Sequence, residues 1–408
     1  MADPVHHDYD AVVIGGGPAG TTVAILLAQA GQRVAVVEKA RFPRRKVCGE
    51  FISATTWPLL RELGVADLLH RNAGPRIRRV GLYAGPARFS AAITTAPFGE
   101  ADGGCAVGRD VLDTVLMARA RSAGASVWQP WTLVGHGLEP EGHCCAVEER
   151  GSGRRRTLTA RVLIAAHGSW ESGPLPSQDF RGPPRPSDLL AFKGQFSGGH
   201  LPADLMPLLA FPGGYGGMVS AAGGRISLSC CIRRDQLAAC RKRWPRHRAG
   251  DAVLAHLVAH CAGAAAALSG ARLESSWLAA GPVRPGVRSF GSGSVFVVGN
   301  AAAEAHSLVA EGISMAIQSA ALLSEQLATQ RGNTLAPALL ASWHSAYASA
   351  WRRKFLPRMH AAWLFAKIFT HPASTRLAVA LVRRFPRLLA LGARFSGKSA
   401  SAGAGAAA

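Results

Sequence analysis

Acidic residues run out before the chain does: from residue 326 to residue 408 there is no Asp or Glu. Nor does any stretch reach the ~18 uninterrupted apolar residues that a membrane-spanning helix needs. The eight cysteines stand at 48, 105, 144, 145, 230, 231, 240 and 261, and no two are spaced C-x-x-C. That pattern suits neither a zinc site nor a disulfide framework, so no metal is expected and a reducing cytoplasm is the expected compartment. The first ten residues carry acids where a secretory leader carries bases, so no cleaved signal is expected. Glycine is abundant (46 residues) but has no triplet period, which excludes a collagen-like chain. What is present is apolar: 48% of the 408 residues are hydrophobic and 17% charged. Such a chain buries a large core, which excludes intrinsic disorder and implies two or three domains at roughly 150 residues each.

Forty-six Lys and Arg against 25 Asp and Glu give a formal charge of +21. Twelve of those bases lie in the acid-free segment, so the first 325 residues carry only +9. A second cluster, residues 233–248, holds seven bases and one acid. In the acid-free segment the bases interleave with Trp351, Phe355, Leu356, Trp363, Leu364, Phe365, Ile368 and Phe369. Arginine clusters alone suit phosphate backbones, but a nucleic acid is disfavoured because it leaves those apolar residues unexplained. Two readings stand: a basic amphipathic surface on anionic lipid, which makes the inner membrane face a candidate location, or ordinary solvated helix faces.

Residues 9–14 (YDAVVI) are nearly all apolar, as in a strand buried on both faces of a parallel sheet. A glycine turn follows, then a predicted helix over 21–30 and a second strand over 33–38. The spacing further predicts helix over 51–70, a hairpin over 75–95, helix over 110–124, a strand over 126–131, a meander over 131–160 and a strand over 161–166. Pro and Gly dominate 172–190 and mark a crossing into a second domain, with strands near 189–196, 215–221 and 224–232 and basic helices over 235–260. A strand over 294–298 and a helix over 311–329 complete the first domain. Helices over 336–395 are expected to break at Pro357, Pro372 and Pro386, and the low-complexity tail 397–408 is expected to be disordered.

Gly15, Gly17 and Gly20 form G-x-G-x-x-G between a buried strand and a helix, and Glu38 closes the second strand. Gly15 permits the tight turn, Gly17 lets the backbone approach a pyrophosphate, and Gly20 lets the helix pack on the strand. Pro18 and Ala19 complete the turn, whose helix N-terminus stabilises phosphate charge. A carboxylate at 38 accepts from a ribose hydroxyl and disfavours a 2′-phosphate, so FAD or NAD fits better than NADP.

GGGPAG with Glu38 resembles the FAD-binding start of the flavoprotein class that includes aromatic hydroxylases, geranylgeranyl reductases and flavin-dependent halogenases. Residues 41–53 (RFPRRKVCGEFIS) resemble the K-x-C-G-E-x-x-S of the reductase-like branch. VGRDVLD, residues 107–113, resembles the R-x-x-L-D helix that reaches the ribityl and pyrophosphate region. Val298-Gly299-Asn300-Ala-Ala followed by Glu311-Gly312-Ile313 resembles the G-D-A-A and E-G-I pattern where ribose and isoalloxazine are held. The resemblance implies an α/β fold: a Rossmann-like FAD-binding domain with a central parallel sheet (1–74, 100–185 and 281–335), an antiparallel-sheet α+β substrate domain (75–99 and 186–280) and C-terminal helices (336–396). It implies FAD as cofactor, with Lys39, Lys46, Cys48, Arg109, Gly299, Asn300, Gly312 and Ile313 added to the glycine turn and Glu38. Two departures stand out. Asn300 replaces the usual Asp, and in the usual A-D-G-x-x-S, linked to FAD and the nicotinamide donor, His167 replaces the acid.

The same resemblance places Cys48 and Glu50 on the loop facing the flavin, where either could protonate an intermediate and Lys46 could activate the thiol. Alternatively Cys48 packs and Lys46 meets phosphate or solvent. Tyr215, among the glycines of 211–217, either faces substrate or caps a strand turn. The implied reaction is FAD-dependent oxidation-reduction on an apolar substrate. Hydroxylation of an aromatic, polyketide or quinone-like lipid through a reduced-flavin peroxide stands ahead of reduction of an isoprenoid C=C bond. A non-catalytic basic membrane-binding protein is the third reading. No Trp-x-Trp-x-Ile-Pro element appears, which argues against halogenation, and no second G-x-G-x-x-G appears, so NAD(P)H, the expected donor, would bind transiently.

Overall fold

The computed structural model describes residues 7–93, 103–139, 142–178, 182–328 and 336–395; the tail 397–408 lies outside them. The strand Tyr9–Ile14 is the axis of the first sheet. Its Val and Ile side chains are buried on both faces, and it pairs in parallel with Val34–Val37 on one side and with Ala160–Ala165 on the other. Ser126–Trp128 continues the parallel order beyond Val34–Val37, and Val295–Val297 continues it beyond the other edge. The strand Arg155–Ala165 serves twice. Its second half belongs to this parallel set, while its first half pairs antiparallel with Gly142–Glu149, which in turn pairs with Trp131–Glu139. The meander expected over 131–160 is thus an outgrowth of the central sheet.

The helix Pro18–Gln29 starts on a proline, whose fixed φ suits the first turn. Its small and branched residues are buried nearly all round because it is packed between the sheet and the helices Arg109–Ser122 and Gly312–Leu327. Over 51–70 the expected single helix is instead a short strand, Phe51–Ile52, followed by the helices Trp57–Glu62 and Ala66–Arg71. Gly64, at φ +74, makes the break between the two helices.

A second sheet runs in the order Arg272–Leu273, Leu189–Ser197, Ile226–Arg233, Gly214–Ser220, Leu205–Phe211, Arg79–Ala84 and Ala87–Ala92, with Leu278–Val283 also on the edge of Leu189–Ser197. All its pairings are antiparallel except that of Arg79–Ala84 with Leu205–Phe211. The chain thus combines a parallel α/β sheet, an antiparallel sheet and C-terminal helices, the architecture the sequence predicts. The strand Leu205–Phe211 has no counterpart among the expected elements; its LMPLLAF has Pro207 inside and no polar alternation. Pro207 stands opposite Gly81 in the parallel register with Arg79–Ala84 but outside the antiparallel register with Gly214–Ser220, which starts at Leu208.

Helices Pro337–Thr370, Pro372–Arg384 and Arg387–Phe395 close the chain. Breaks at Pro372 and Pro386 are as expected. At Pro357 the helix does not break, and it is 34 residues long in all, about 51 Å at 1.5 Å per residue. The reason is tertiary. Trp343, Tyr347, Trp351, Phe355 and Met359 are buried in the first domain's core, and Ala366 and Phe369 in a cluster shared with the second sheet, so anchors lie on both sides of the proline. Pro357 itself is exposed, which leaves the unpartnered carbonyl four residues back near water. Pro357→Ala should therefore stabilise the protein by up to about 3 kcal/mol, read as a higher urea midpoint at unchanged slope; a lower midpoint would show that the proline shapes the helix.

Candidate functional site

A single cleft runs from the glycine turn to the edge of the second sheet. At its phosphate end, Gly17, Pro18 and Ala19 present the N-terminus of the helix Pro18–Gln29. Gly15 sits at φ +110, and a Cβ there would lie 2.5 Å from the carbonyl oxygen of Ala166. A Cβ on Gly20 would lie 1.9 Å from the Gly15 oxygen, so Gly20 stands behind the turn and permits close packing. On Gly17 it would meet nothing nearer than the Arg109 Nη2 at 3.8 Å, so the backbone there is bare towards the cleft. This cradle fits a pyrophosphate.

Seven charged side chains surround it. Glu38 is buried; its Oε2 accepts from the Gly16 N–H at 2.8 Å, and its Oε1 from the Ala40 N–H and Arg44 Nη1, both at 2.8 Å. A carboxylate has about four acceptor sites, so one remains for a ribose hydroxyl. Arg44 also reaches Asp113 at 3.2 Å, and Asp113 holds Arg109 in a two-pronged pair at 2.7 and 2.8 Å. The fixed fork leaves Arg109's other donors free to face the cradle, whose wall also carries Cys48. Lys39 pairs with Glu171, and Lys46 lies 3.8 Å from the same carboxylate. Burial lowers the Lys46 pKa, and repulsion from Arg44 and Arg109 lowers it further.

Opposite the cradle, Gly299 (φ +61) and Asn300 stand on one turn, and Gly312 and Ile313 open the helix Gly312–Leu327 into the cleft. First-turn N–H groups there can stabilise negative charge on a ring edge. The Asn300 amide lies 3.5 Å from Glu304, a buried carboxylate held by Arg288 at 2.7 Å and Ser169 at 2.9 Å. An Asp at 300 would face that charge, which gives the amide a physical reason. Burial pushes the His167 pKa down to about 4. Its Nδ1–H donates to the Gly168 carbonyl at 2.9 Å, so the neutral ring's Nε2 accepts from the Ser177 hydroxyl at 2.8 Å.

At the far end Glu50 is buried with φ +63, and it ion-pairs with Lys193, a buried residue of the strand Leu189–Ser197. Gln195 lies 3.4 Å from Glu50 as well, and the Glu50 N–H reaches the Cys48 sulfur at 3.4 Å. Tyr215 does not line the cleft. It is wholly buried behind His306, with its hydroxyl 3.0 Å from His306 Nδ1, and burial raises its phenol pKa well above the ordinary range. His306 and Cys231 do line the cleft, Cys231 bonded to Ser307 at 3.1 Å. Val47, Trp170, Ala191 and Val283 give this end an apolar wall.

Fourteen of the residues singled out in the sequence share this cleft: Gly15, Gly17, Pro18, Ala19, Glu38, Lys39, Lys46, Cys48, Glu50, Arg109, Gly299, Asn300, Gly312 and Ile313. Sequence reasoning missed Arg44, Lys193, Glu304 and His306. Arg44 sat within a matched motif; the others carry no local pattern.

The chain belongs to the FAD binding domain family, whose model matches residues 8–353. The proteins it is similar to include halogenases, a probable FAD-dependent monooxygenase and reductases. A pyrrole-2-carbonyl carrier-protein chlorinase of Pseudomonas fluorescens is 43% identical over 24% of this chain and 19% of its own. Digeranylgeranylglycerophospholipid reductase 2 of Methanopyrus kandleri is 34% identical over 40% of this chain and 38% of its own. The chain thus spans at most about two fifths of the length of the curated relatives cited. Among solved structures, the myxobacterial chondrochloren halogenase aligns with TM-score 0.73 and 19% identity over 96% of this chain and 99% of that one. PqsL of Pseudomonas aeruginosa, in complex with 2-aminobenzoylacetate, gives 0.69 and 17% over 90% and 98%. At such identities these likenesses show the fold alone.

Two outcomes test the site. Asp113→Ala leaves Arg44 and Arg109 without their shared carboxylate. It should cost about 3–5 kcal/mol of stability and weaken flavin retention, seen as lost yellow colour after gel filtration; retained flavin and an unchanged melt would remove Asp113 from its positioning role. Burial lowers His143, His167 and His306 from an ordinary 6.5 to about 4. The unfolded chain therefore binds more protons in that window, and the stability these histidines contribute, complete above pH 6.5, is lost as pH falls towards 4. His306→Gln should flatten the melting temperature against pH over that range, and an unchanged slope would contradict its buried neutral state.

Proposed function

We propose that the protein is an FAD-dependent monooxygenase that hydroxylates an apolar aromatic, polyketide or quinone-like substrate held against Val47, Trp170, Ala191 and Val283. The observation that carries this is the state of the acids at that end. Adding hydride to an alkene leaves a carbon that needs a proton from a nearby group. Glu50 is paired with the Lys193 ammonium, and Tyr215 is screened by His306 with its proton held tightly. Oxygen insertion into an electron-rich ring needs no proton delivered to carbon.

FAD, when bound, supplies electron storage and, once reduced, oxygen activation. The chain's residues do the rest. The cradle at Gly15–Gly20, with Arg44 and Arg109, holds the pyrophosphate; Glu38 and Asn300 hold ribose hydroxyls; the Gly312 and Ile313 N–H groups stabilise charge on the ring. NAD(P)H is the proposed donor and binds transiently. The second reading, C=C reduction, is favoured by Cys48, a thiol on the cleft wall in the C-G-E loop, which would then be the acid.

The test is anaerobic reduction of the holoprotein with NADH or NADPH, then oxygen, with phenolic and polyprenyl lipids present and chloride or bromide added in parallel, and product masses read. Gain of one oxygen is the expected result. Gain of two hydrogens without oxygen makes the protein a reductase, and halogen in place of hydrogen makes it a halogenase; either overturns the hydroxylase reading. Failure of nicotinamide to reduce a flavin that dithionite does reduce would assign the electrons to a partner reductase.

A further inference from the structure

Eleven large hydrophobic side chains are exposed among the described residues, and seven of them lie between positions 363 and 391: Trp363, Leu364, Leu377, Leu381, Phe385, Leu388 and Leu391. The helix Pro372–Arg384 has no buried residue, yet it is apolar on two faces. Ala378, Val379 and Val382 turn inward on to the cluster that contains the cleft residues Ala191, Cys231 and Val283. Leu377, 63% exposed, and Leu381, 44% exposed and one turn on, point to solvent. A surface helix with one core face needs only the inner set.

The charges carried by these helices have one sign. Lys367, Arg376, Arg383, Arg384 and Arg387 are all exposed, and there is no acid from 326 onward. Lys367 lies 4.2 Å from the Trp363 ring and Arg384 5.3 Å from the Phe385 ring, so cations and apolar groups share one surface. The last helix packs on the strands Arg79–Ala84 and Ala87–Ala92, which add Arg88, while Arg79 there is already paired with Asp204 at 2.6 Å.

We propose that the helices 363–391 dock the protein on an anionic phospholipid surface, with Trp363, Leu377, Leu381 and Phe385 entering the headgroup boundary and the bases meeting the lipid phosphates. A second copy of this chain would bring two acid-free basic faces together and repel. A nucleic acid would meet the bases but leave the leucines in water. The docking stands independently of the reaction proposed for the cleft.

The test is co-sedimentation of the full-length holoprotein with vesicles of phosphatidylcholine alone or mixed with phosphatidylglycerol. Binding should require the anionic lipid and fall with salt. Each base near the surface strengthens binding about five-fold, so Arg383→Glu/Arg384→Glu should weaken it at least about 25-fold. Leu377→Glu/Leu381→Glu should lose it while keeping bound flavin and the wild-type melt, because both side chains are exposed. Equal pelleting on both vesicle types, no pelleting, or unchanged binding by the leucine variant would each overturn the proposal. So would a dimer that the leucine variant dissociates, or retardation of a DNA duplex without vesicle binding.

Discussion

The ion pair between Glu50 and Lys193 is the contact on which the cleft depends. Both side chains are buried, one on a loop of the first domain and one on a strand of the second sheet. An unpaired charge in either place would cost several kcal/mol, so neither domain presents its charge without the other. Glu50 reaches its partner from a left-handed backbone, a conformation that costs a non-glycine residue of order 1 kcal/mol and persists only where the surroundings impose it. The same loop carries Lys46 and Cys48. Fixing Glu50 therefore fixes where those groups stand, and the second sheet becomes a wall of the cofactor's cleft rather than a loosely tethered neighbour.

At the other end the arrangement is an alternation of charge. Glu38, Arg44, Asp113 and Arg109 form a chain in which each arginine touches a carboxylate that orients it. Lys39, Arg44, Lys46 and Arg109 face Glu38, Asp113 and Glu171, so the cradle stays positive by about one charge while none of its cations is left without a counter-charge nearby. Such a site is ordered before the dinucleotide arrives, and the phosphates complete a balance already nearly closed. The lowered pKa of Lys46 shows that repulsion, with burial, is felt at that position.

Much of this was legible because its cause is local. The run from Tyr9 to Glu38 declares strand, turn, helix and strand within thirty residues, since backbone close approach can be met only by glycine at 15 and 20. Lys193 was not legible: it is one lysine in an apolar strand, and its meaning lies 143 residues away in Glu50. The exchange at Asn300 became intelligible only beside Glu304. Leu205–Phe211 was missed because a strand buried in a sheet loses the alternation that marks one at a surface. Pro357 misled for the converse reason, since its local penalty is real but is outweighed by aromatic anchors on either side.

The charge of +21 can now be divided by effect rather than by position. Lys367, Arg376, Arg383, Arg384 and Arg387 of the C-terminal helices are exposed, and at physiological ionic strength their field decays within about 8 Å. Arg44 and Arg109 are only 12–13% exposed at their side chains and act where the effective dielectric is lower. A handful of buried cations thus sets the charge of the cradle, although they add little to the total. The larger, acid-free share acts only on what comes into direct contact with the surface, where it stands beside exposed leucines and a tryptophan.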